Sequence, residues 1–366
     1  MTSDAPARQY ARLRYRLLIV DLLGGLMALW LWYASGLSEA IALWCFAIIP
    51  SAAGQLAGYL AVFGAAWYCL FLPLRWYAGF VLEHRFGLSR MTAGQWAVRE
   101  LKHTALAAAF WLGLLELFYA LLRLAPQAWT VWATVGWVGV SVILARLFPT
   151  VLVPLFYKTV PLDDAALAER LLALCARVGV PALGAFKVAL GAETRKANAA
   201  LAGLGRTRRV LLSDTLLDRF TPDEIETVLA HELGHQHHRH ITKFLALSSV
   251  GSWAAFTLID AFSRRWVPAL GLRGLSDLAG FPVLMLALSL LGLIGLPLQN
   301  AISRRFEWEA DRFAVAVTQR PTIFADALRK LGELNLADPA PPRWVERLFY
   351  DHPSLPARIR AAETAT

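Results

Sequence analysis

Five of the chain's eight histidines lie within ten residues, in the segment HELGHQHHRH at 231–240. His231 and His235 are four positions apart, so a helix would present both imidazoles on one face. Two imidazoles placed in this way can bind one metal ion, and Glu232 beside them can take a proton from water without binding the metal. The spacing therefore predicts a hydrolytic metal site with Glu232 as its general base.

A hydrolytic zinc site usually has three protein ligands and one open position, so a third ligand must come from another element. The segment NAISRRFEWEAD at 300–311 supplies three acids directly after the last long apolar run. Helical spacing puts Glu307 and Asp311 on one face and turns Glu309 away from both. We therefore expect Glu307 to complete the site for one zinc ion, and Asp311 to accept the other ring N–H of a ligating histidine.

The helix that must carry His231 and His235 has a strong start signal. Thr221 is a good N-cap, Pro222 fits the first helical position and Glu224 completes a capping box. No helix breaker follows before the two histidines. The sequence therefore predicts that both predicted ligands lie on one capped helix.

The other histidines of the segment, His237, His238 and His240, follow on the same predicted helix. Positions after His235 rotate away from the side that faces the metal. We therefore expect these three side chains to be solvated or to face lipid headgroups, and a second metal site there is the less favoured alternative.

Short runs before the capped helix predict a small antiparallel sheet. A helical segment ends at Gly179 and Pro181, which together are a stop signal. The runs FKVAL (186–190), KANAALAG (196–203) and RRVLLSD (208–214) follow, separated by turns that contain glycine. The sheet would precede the predicted ligand helix directly.

The composition is that of a membrane protein. The 57% hydrophobic and 17% charged residues differ from the balance of soluble proteins, roughly 45–50% apolar and about 25% charged. A run at 40–49 is too short to cross a bilayer alone and is either re-entrant or part of a seventh span. The sequence therefore predicts a mainly α integral membrane protein with six or seven transmembrane helices. The six clear runs are 17–35, 56–82, 104–124, 128–148, 244–262 and 280–300.

The charge distribution predicts that the metal site faces the cytoplasm. Four arginines between residues 8 and 16 precede the first span, whereas 36–55 has no lysine or arginine, as the positive-inside rule requires. The loop 263–279 is an exception, because it carries three arginines but should lie outside under six spans. The net charge of +9 is typical of loops that anchor beside anionic lipids, so we assign no nucleic-acid partner.

The apolar runs and polar segments divide the chain into four parts. The residues 231–235 form the HExxH motif, which is typical of zinc metalloproteases. We therefore expect N-terminal transmembrane helices at 1–157 and a first peptidase part, with the sheet and the HExxH helix, at 158–243. A transmembrane helix pair at 244–300 and a second peptidase part with the third ligand at 301–366 would follow. Abundant Ala, Leu and Arg favour a bacterial source, and therefore a multi-pass protein of the inner membrane.

The segments HELGH and NAISRRFEWEAD, with a pair of hydrophobic spans between them, resemble those of the membrane gluzincins. These are the type I CAAX prenyl endopeptidases and their HtpX-type bacterial relatives. RFGLSRMTAGQW at 85–96, KANAALAG before RRVLLSDTLL, and the terminal DHPSLPARI also resemble this family. The resemblance covers most of the chain from about residue 56 and implies a zinc peptidase domain on the cytoplasmic side. It implies His231, His235 and Glu307 as ligands and Glu232 as base, in agreement with the spacing.

Three further residues are assigned by the resemblance alone. Asn198, followed by Ala199, matches the strand that lies beside the active site and pairs with an extended substrate. His352 matches the histidine of the family's HP motif, which stabilises the oxyanion. The eukaryotic members have seven spans around a large hydrated chamber, whereas this chain has one clear span before residue 50.

The favoured function is therefore a membrane zinc endopeptidase that acts on an extended peptide or protein, with cleavage of prenylated CAAX proteins implied by the resemblance. Quality control of membrane proteins, as by HtpX-type proteases, is the alternative within the same class. A zinc transporter or sensor is the alternative from another class, but it needs ligands deep within spans, whereas the histidines and Glu307 lie at span edges. The intact ligands and base argue against an inactive scaffold.

Overall fold

The structure is a computed structural model that describes residues 4–203 and 205–365. Its first half is helical, and π-helical turns at Tyr77–Val81 and Phe148–Leu152 join short helices to the long ones before them. Residues Ala52–Arg85 and Trp129–Phe156 therefore each run as one continuous helix. The helices of this half are α1 (Ala5–Ala34), α2 (Leu37–Ile48), α3 (Ala52–Trp76), α4 (Leu82–Arg85), α5 (Ala93–Leu124), α6 (Trp129–Leu147) and α7 (Val153–Phe156).

The second half combines a small sheet with helices. Two of these helices, α11 (His240–Ala269) and α12 (Phe281–Thr318), are long and apolar enough to cross a membrane. The strands are β1 (Thr159–Pro161), β2 (Ala185–Val188), β3 (Ala199–Ala202) and β4 (Arg209–Ser213). The helices are α8 (Ala165–Arg177), α9 (Asp214–Leu217), α10 (Pro222–His237), α11 (His240–Ala269), α12 (Phe281–Thr318), α13 (Pro321–Asn335), α14 (Arg343–Phe349) and α15 (Leu355–Glu363).

The six predicted spans are confirmed, since each apolar run coincides, to within one residue at its ends, with part of one of the six span-length helices of the described residues. The run at 40–49 forms α2, a separate helix of 12 residues that is too short to cross. The Ser38 hydroxyl donates to the Ala279 carbonyl (2.8 Å), which ties α2 to the loop between α11 and α12. The helix α11 has 30 residues and is therefore about 45 Å long. The histidine segment lies at its start, and α2 contacts the loop that follows its end.

The sheet is mixed rather than antiparallel, which corrects the prediction. Its strand order is β1-β2-β4-β3, in which β1 and β3 pair antiparallel with their neighbours but β2 and β4 run parallel. Parallel strands need a long connection. The chain between β2 and β4 provides one, because it forms β3 at the far edge before β4 runs in the same direction as β2. The three-residue β1 was not predicted, because a strand that short carries no periodic signal.

The two polar segments share one hydrophobic core. Leu229 and Leu233 of α10 are almost fully buried and belong to the same cluster as Ala314 of α12 and Phe324 of α13. In addition, α12 continues as one helix of 38 residues across the predicted domain boundary at 300/301. The four-part division of the chain stays a prediction, with its second and fourth parts joined in one core.

The capping box that predicts the start of α10 is confirmed. The Thr221 hydroxyl accepts from the Glu224 N–H (3.3 Å), and the Glu224 carboxylate accepts from the Thr221 N–H (2.8 Å). The helix ends at His237, and Arg239 adopts a left-handed conformation (φ 55°) that turns the chain into α11. Non-glycine residues rarely adopt this conformation, so the turn is a specific feature of this junction.

The close approach of α10 to α12 requires a glycine. A Cβ on Gly234 would lie 2.9 Å from the Ala310 Cα and 3.2 Å from both the Ala310 carbonyl oxygen and the Phe313 Cβ. The first of these contacts is to backbone, which cannot yield without moving a helix. The absence of a side chain at Gly234 therefore sets the distance between the two helices.

We expect the substitution Gly234→Ala to destabilise the protein by about 1–3 kcal/mol, because the added methyl overpacks the α10–α12 contact. The matched control is Gly251→Ala in α11, where an added Cβ meets nothing within 4 Å. The control should be neutral or gain up to about 1 kcal/mol from helix propensity. Thermal unfolding in detergent, followed by circular dichroism, measures both, and equal stability of the two variants would contradict the packing argument.

Candidate metal centre

Three side chains from α10 and α12 converge on one point. The Nε2 atoms of His231 and His235 lie 3.2 Å apart. Glu307 Oε1 lies 3.2 Å from His235 Nε2, and Glu307 Oε2 lies 3.4 Å from His231 Nε2. Helical spacing places the two histidines on one side of α10, and the Gly234 contact brings that side against α12. The structure therefore brings together the three residues that the sequence predicts as ligands.

The geometry and chemistry of this group fit a divalent metal ion. Ligand atoms at roughly 2.0–2.1 Å from a tetrahedral zinc ion would be roughly 3.3 Å apart, close to the three separations of this group. Glu307 Oε2 is buried and has no hydrogen-bond partner within the described residues, and the Arg358 guanidinium lies 3.5 Å from it. A buried carboxylate oxygen without a hydrogen bond is costly, and a metal ion bound at this point would satisfy it. His231, His235 and Glu307 can therefore hold one metal ion.

Asp311 lies behind His231, as the sequence predicts. The His231 Nδ1–H donates to Asp311 Oδ1 (2.8 Å), and the buried Arg358 of α15 donates to both Asp311 oxygens (2.6 and 2.8 Å). Burial lowers the pKa of His231, but the Asp311 and Glu307 carboxylates outweigh it and raise the pKa to about 9. The surroundings of His231 therefore favour positive charge.

Arg358 was missed by the sequence analysis. It lies in the DHPSLPARI segment, within which only His352 received a role. Arginine is common in surface helices, so its type alone gives no signal for a buried ion pair with an aspartate 47 positions away.

Glu232 is half-buried and follows His231 on α10. Within residues 4–203 and 205–365, no group hydrogen-bonds or forms an ion pair with its carboxylate, and its charge acts on Arg358. A carboxylate without a fixed partner beside a metal site can accept a proton from water. This position suits the general base that the sequence predicts.

His352 also contacts Glu307, at the same oxygen as His235. Its Nε2 is 3.3 Å from Glu307 Oε1, its Nδ1–H donates to Asp351 (2.8 Å), and about half of the side chain is exposed. The bond to Asp351 raises the pKa of His352. The segment is fixed from α12, where Arg304 donates to the Tyr350 carbonyl (2.6 Å) and Asn300 donates to the carbonyl of Leu348 (2.7 Å). A partly exposed imidazole is therefore held beside the ligand group.

Ala199 is the first residue of β3, which is an edge strand of the sheet, and Asn198 directly precedes it. The Asn198 carbonyl accepts from the Ser213 N–H (3.0 Å), and the Asn198 N–H donates to Ser213 Oγ (2.9 Å). In an antiparallel pair the residues alternate between facing the partner strand and facing away from it. The backbone groups of Ala199 and Leu201 therefore point away from β4, and Ala199 is partly exposed whereas Leu201 is buried.

The prediction for His240 is wrong. Its side chain is only 2% exposed, and its ring stacks on Phe306 with centroids 4.2 Å apart. The expectation assumed that one helix continues past His235, whereas α10 ends at His237 and the left-handed Arg239 turns the chain back. His237 is exposed and His238 is half-buried.

Glu309 also has a contact that the sequence analysis missed. It points away from Glu307 and Asp311 as predicted, but its Oε2 accepts from His240 Nε2–H (3.1 Å). Helical spacing gives the side on which Glu309 lies, but it gives no information about which residue faces it across a turn.

Comparison with known proteins places both halves of the chain. Residues 161–366 match the family model described as peptidase family M48. Residues 5–158 match that of the CAAX prenyl protease N-terminal region, described as five membrane helices. In the described part of that region, the chain has four span-length helices and the short α2.

Individual proteins resemble the chain over most of its length. The protein named uncharacterized metalloprotease YhfN, of Bacillus subtilis, is 28% identical over 98% of this chain and 85% of its own length. CAAX prenyl protease 1 of Saccharomyces cerevisiae is 27% identical over 80% of this chain and 68% of its own length. The crystal structure of S. mikatae Ste24p superposes with a TM-score of 0.87 at 25% identity, covering 98% of this chain and 88% of that one.

We expect Asp311→Asn to lower the affinity for zinc by about 10- to 100-fold, because it removes the charge that fixes the Nδ1–H of His231 and pairs with Arg358. Competition with a chromophoric chelator measures the affinity. The matched control is Asp326→Asn on α13, whose half-exposed carboxylate pairs with Arg329 (2.6 Å). If both variants bound zinc as tightly as the unmodified protein, Asp311 would have no part in the site.

Proposed function

The chain belongs to peptidase family M48, and we propose that His231, His235 and Glu307 hold one zinc ion at which it hydrolyses peptide bonds. The chain is a multi-pass membrane metalloendopeptidase. One observation carries the proposal for the site. The Nε2 atoms of His231 and His235 and the carboxylate oxygens of Glu307 lie 3.2–3.4 Å from one another. One of these atoms, Glu307 Oε2, is buried and has no hydrogen-bond partner in the described residues.

The side chains around this group divide the work of hydrolysis. Zinc, when bound, supplies a Lewis acid that polarises the substrate carbonyl and acidifies water. Glu232 takes a proton from the attacking water and returns it to the amine nitrogen as the C–N bond breaks. His352, held beside Glu307, donates to the carbonyl oxygen as it gains negative charge.

The substrate is proposed to bind as an extended chain along β3. Strand addition to a sheet edge uses main-chain hydrogen bonds, so it tolerates many sequences. The outward groups of Ala199 and Leu201 support this mode, and the exposed side chain of Asn198 is available to a substrate chain. Cleavage of a peptide or protein segment therefore requires that the segment first be unfolded.

A prenylated CAAX protein is the favoured substrate. Relatives from several eukaryotes are named CAAX prenyl protease 1, and the yeast enzyme aligns with 80% of this chain. At most 17% of the most apolar stretch of any span is buried within the described protein, so the spans offer much apolar surface. A prenyl group could bind such surface, whereas quality control of unfolded membrane proteins needs only the open strand edge. Quality control is therefore the second candidate.

A bacterial inner membrane with the site on the cytoplasmic side is the proposed location. The Tyr15 hydroxyl of α1 donates to Asp338 (2.7 Å) and contacts the Tyr350 hydroxyl (2.6 Å), so the arginine-rich start of α1 lies on the side of the metal centre. Arg273, in the loop that disagreed with the positive-inside rule, pairs with Asp277 (3.0 Å). The Bacillus subtilis relative supports a bacterial setting.

We expect Glu232→Gln to lower kcat by about 10²- to 10⁴-fold while the zinc content stays unchanged, because the amide cannot accept the proton but no ligand is lost. Cleavage of a quenched peptide and metal analysis of the same sample measure the two quantities. The control is Glu169→Gln, an exposed acid on α8. A Glu232→Gln variant that cleaves at the normal rate would disprove the proposed base.

For the substrate, we expect a farnesylated CAAX peptide to be cleaved with a higher kcat/KM than the same peptide without its lipid. The physical reason is burial of the prenyl chain, about 0.8 kcal/mol per CH₂ group. An unfolded membrane protein tested in the same detergent distinguishes the second candidate. Equal kcat/KM for both peptides, with efficient cleavage of the unfolded protein, would favour quality control.

A further inference from the structure

The two nitrogens of His235 have different neighbours. Its Nε2 faces the ligand group, 3.2 Å from both His231 Nε2 and Glu307 Oε1. Its Nδ1 faces away and lies 2.9 Å from the Nδ1 of His240. A neutral imidazole that offers the Nε2 lone pair to a metal carries its proton on Nδ1. His235 Nδ1–H is therefore the donor in the contact with His240, and His240 Nδ1 is the acceptor.

The same proton count applies to His240. Because its Nδ1 accepts, its own proton must be on Nε2, and Nε2–H donates to Glu309 Oε2 (3.1 Å). A carboxylate accepts hydrogen bonds, so a hydrogen bond from His240 Nε2–H to Glu309 agrees with His240 Nδ1 as the acceptor from His235. The three groups form one chain, Glu309–His240–His235, in which each proton has a single position.

The position of His240 is fixed independently of these bonds. Its ring is nearly parallel to that of Phe306 (6°), the residue before Glu307, and the turn at Arg239 directs it back towards α10. The charged groups that face Glu309 are Lys243 (3.8 Å) and Arg305 (3.4 Å), both substantially exposed. The histidine is therefore buried, and both of its nitrogens have partners.

The two ligating histidines are supported in different ways. His231 donates directly to Asp311, which Arg358 holds from the other side. No carboxylate reaches Nδ1 of His235 in the described residues, and the second imidazole spans the distance to Glu309. An outer carboxylate usually fixes the tautomer and ring orientation of a metal-binding histidine and raises its basicity.

We propose that His240 and Glu309 are positioning residues for the metal centre, which hold His235 in the tautomer and orientation that bind the metal. The inference rests on the proposed function, because it requires that His235 be a ligand. Neither residue touches the reacting atoms, and both act through His235.

The test is metal binding by the full-length protein in detergent, after chelator removes any bound ion. His240→Phe keeps a ring against Phe306 but removes the acceptor, and we expect it to lower zinc affinity by about 10- to 100-fold. It should also shift the visible absorption of the Co²⁺-substituted protein, which reports on the ligand geometry. The matched control is His237→Phe, an exposed histidine at the end of α10, the helix that carries His235.

A conservative variant separates positioning from folding. The substitution His240→Asn places an amide oxygen near the position of the lost Nδ1, where it can still accept from His235, so this variant should recover part of the lost affinity. The melting temperature of the metal-free protein should be the same for His240→Phe, His240→Asn and His237→Phe. Affinity loss accompanied by an equal loss of metal-free stability would indicate a structural role and overturn the proposal.

A double-mutant cycle tests the connection to Glu309. Glu309→Ala alone should lower the zinc affinity, but it should have little further effect when His240→Phe is already present, because the relay is then broken. Additive effects, or a His240→Phe variant that binds zinc as tightly as the His237→Phe control, would overturn the proposal. Failure of the unmodified protein to bind zinc would instead count against the proposed function.

Discussion

The close packing of α10 on α12 is the interaction on which the site depends. The proposed ligands come from two helices separated by a membrane-crossing helix, so nothing in the local chain brings them together. Gly234 has no side chain, and its backbone lies so close to α12 that an added Cβ would be only 2.9 Å from the Ala310 Cα. At that distance His231 and Glu307 face each other within 3.4 Å. The buried polar groups of the centre are therefore held by an apolar contact one turn away.

The metal centre joins the hydrophobic core around the sheet to the membrane-spanning helices, because α10 packs in that core and α12 is a span-length helix. Leu229 and Phe324 lie in one cluster with the sheet, which gives α10 a rigid support. Glu307, the proposed third ligand, instead lies on α12, which begins at Phe281, 26 positions before it. Placing catalytic ligands on regular elements fixes them more firmly than loops would, because helix backbones deform little. His352 instead depends on a loop, and Arg304 and Asn300 fasten that loop to α12.

Local patterns predicted the parts of the structure that local physics determines. The capping box at Thr221, the helical spacing of the ligands and the six apolar runs needed no information from elsewhere in the chain. The parallel pairing of β2 with β4 and the burial of His240 depended on where the chain returns, which spacing does not encode. At His240 one left-handed residue, Arg239, changed the side on which the ring lies. Arg358 was missed for the same reason, since its partner is distant in sequence.

The long helix α12, which carries Glu307, contains a proline in its interior, Pro297. A proline inside a helix removes one backbone hydrogen bond and makes that turn the easiest place to bend. Pro297 lies between the lipid-embedded half and Glu307, ten positions ahead of it. When the bilayer thins or thickens, a hydrophobic rod responds by tilting. Any bending of α12 would therefore concentrate at Pro297, ahead of the half that carries Glu307.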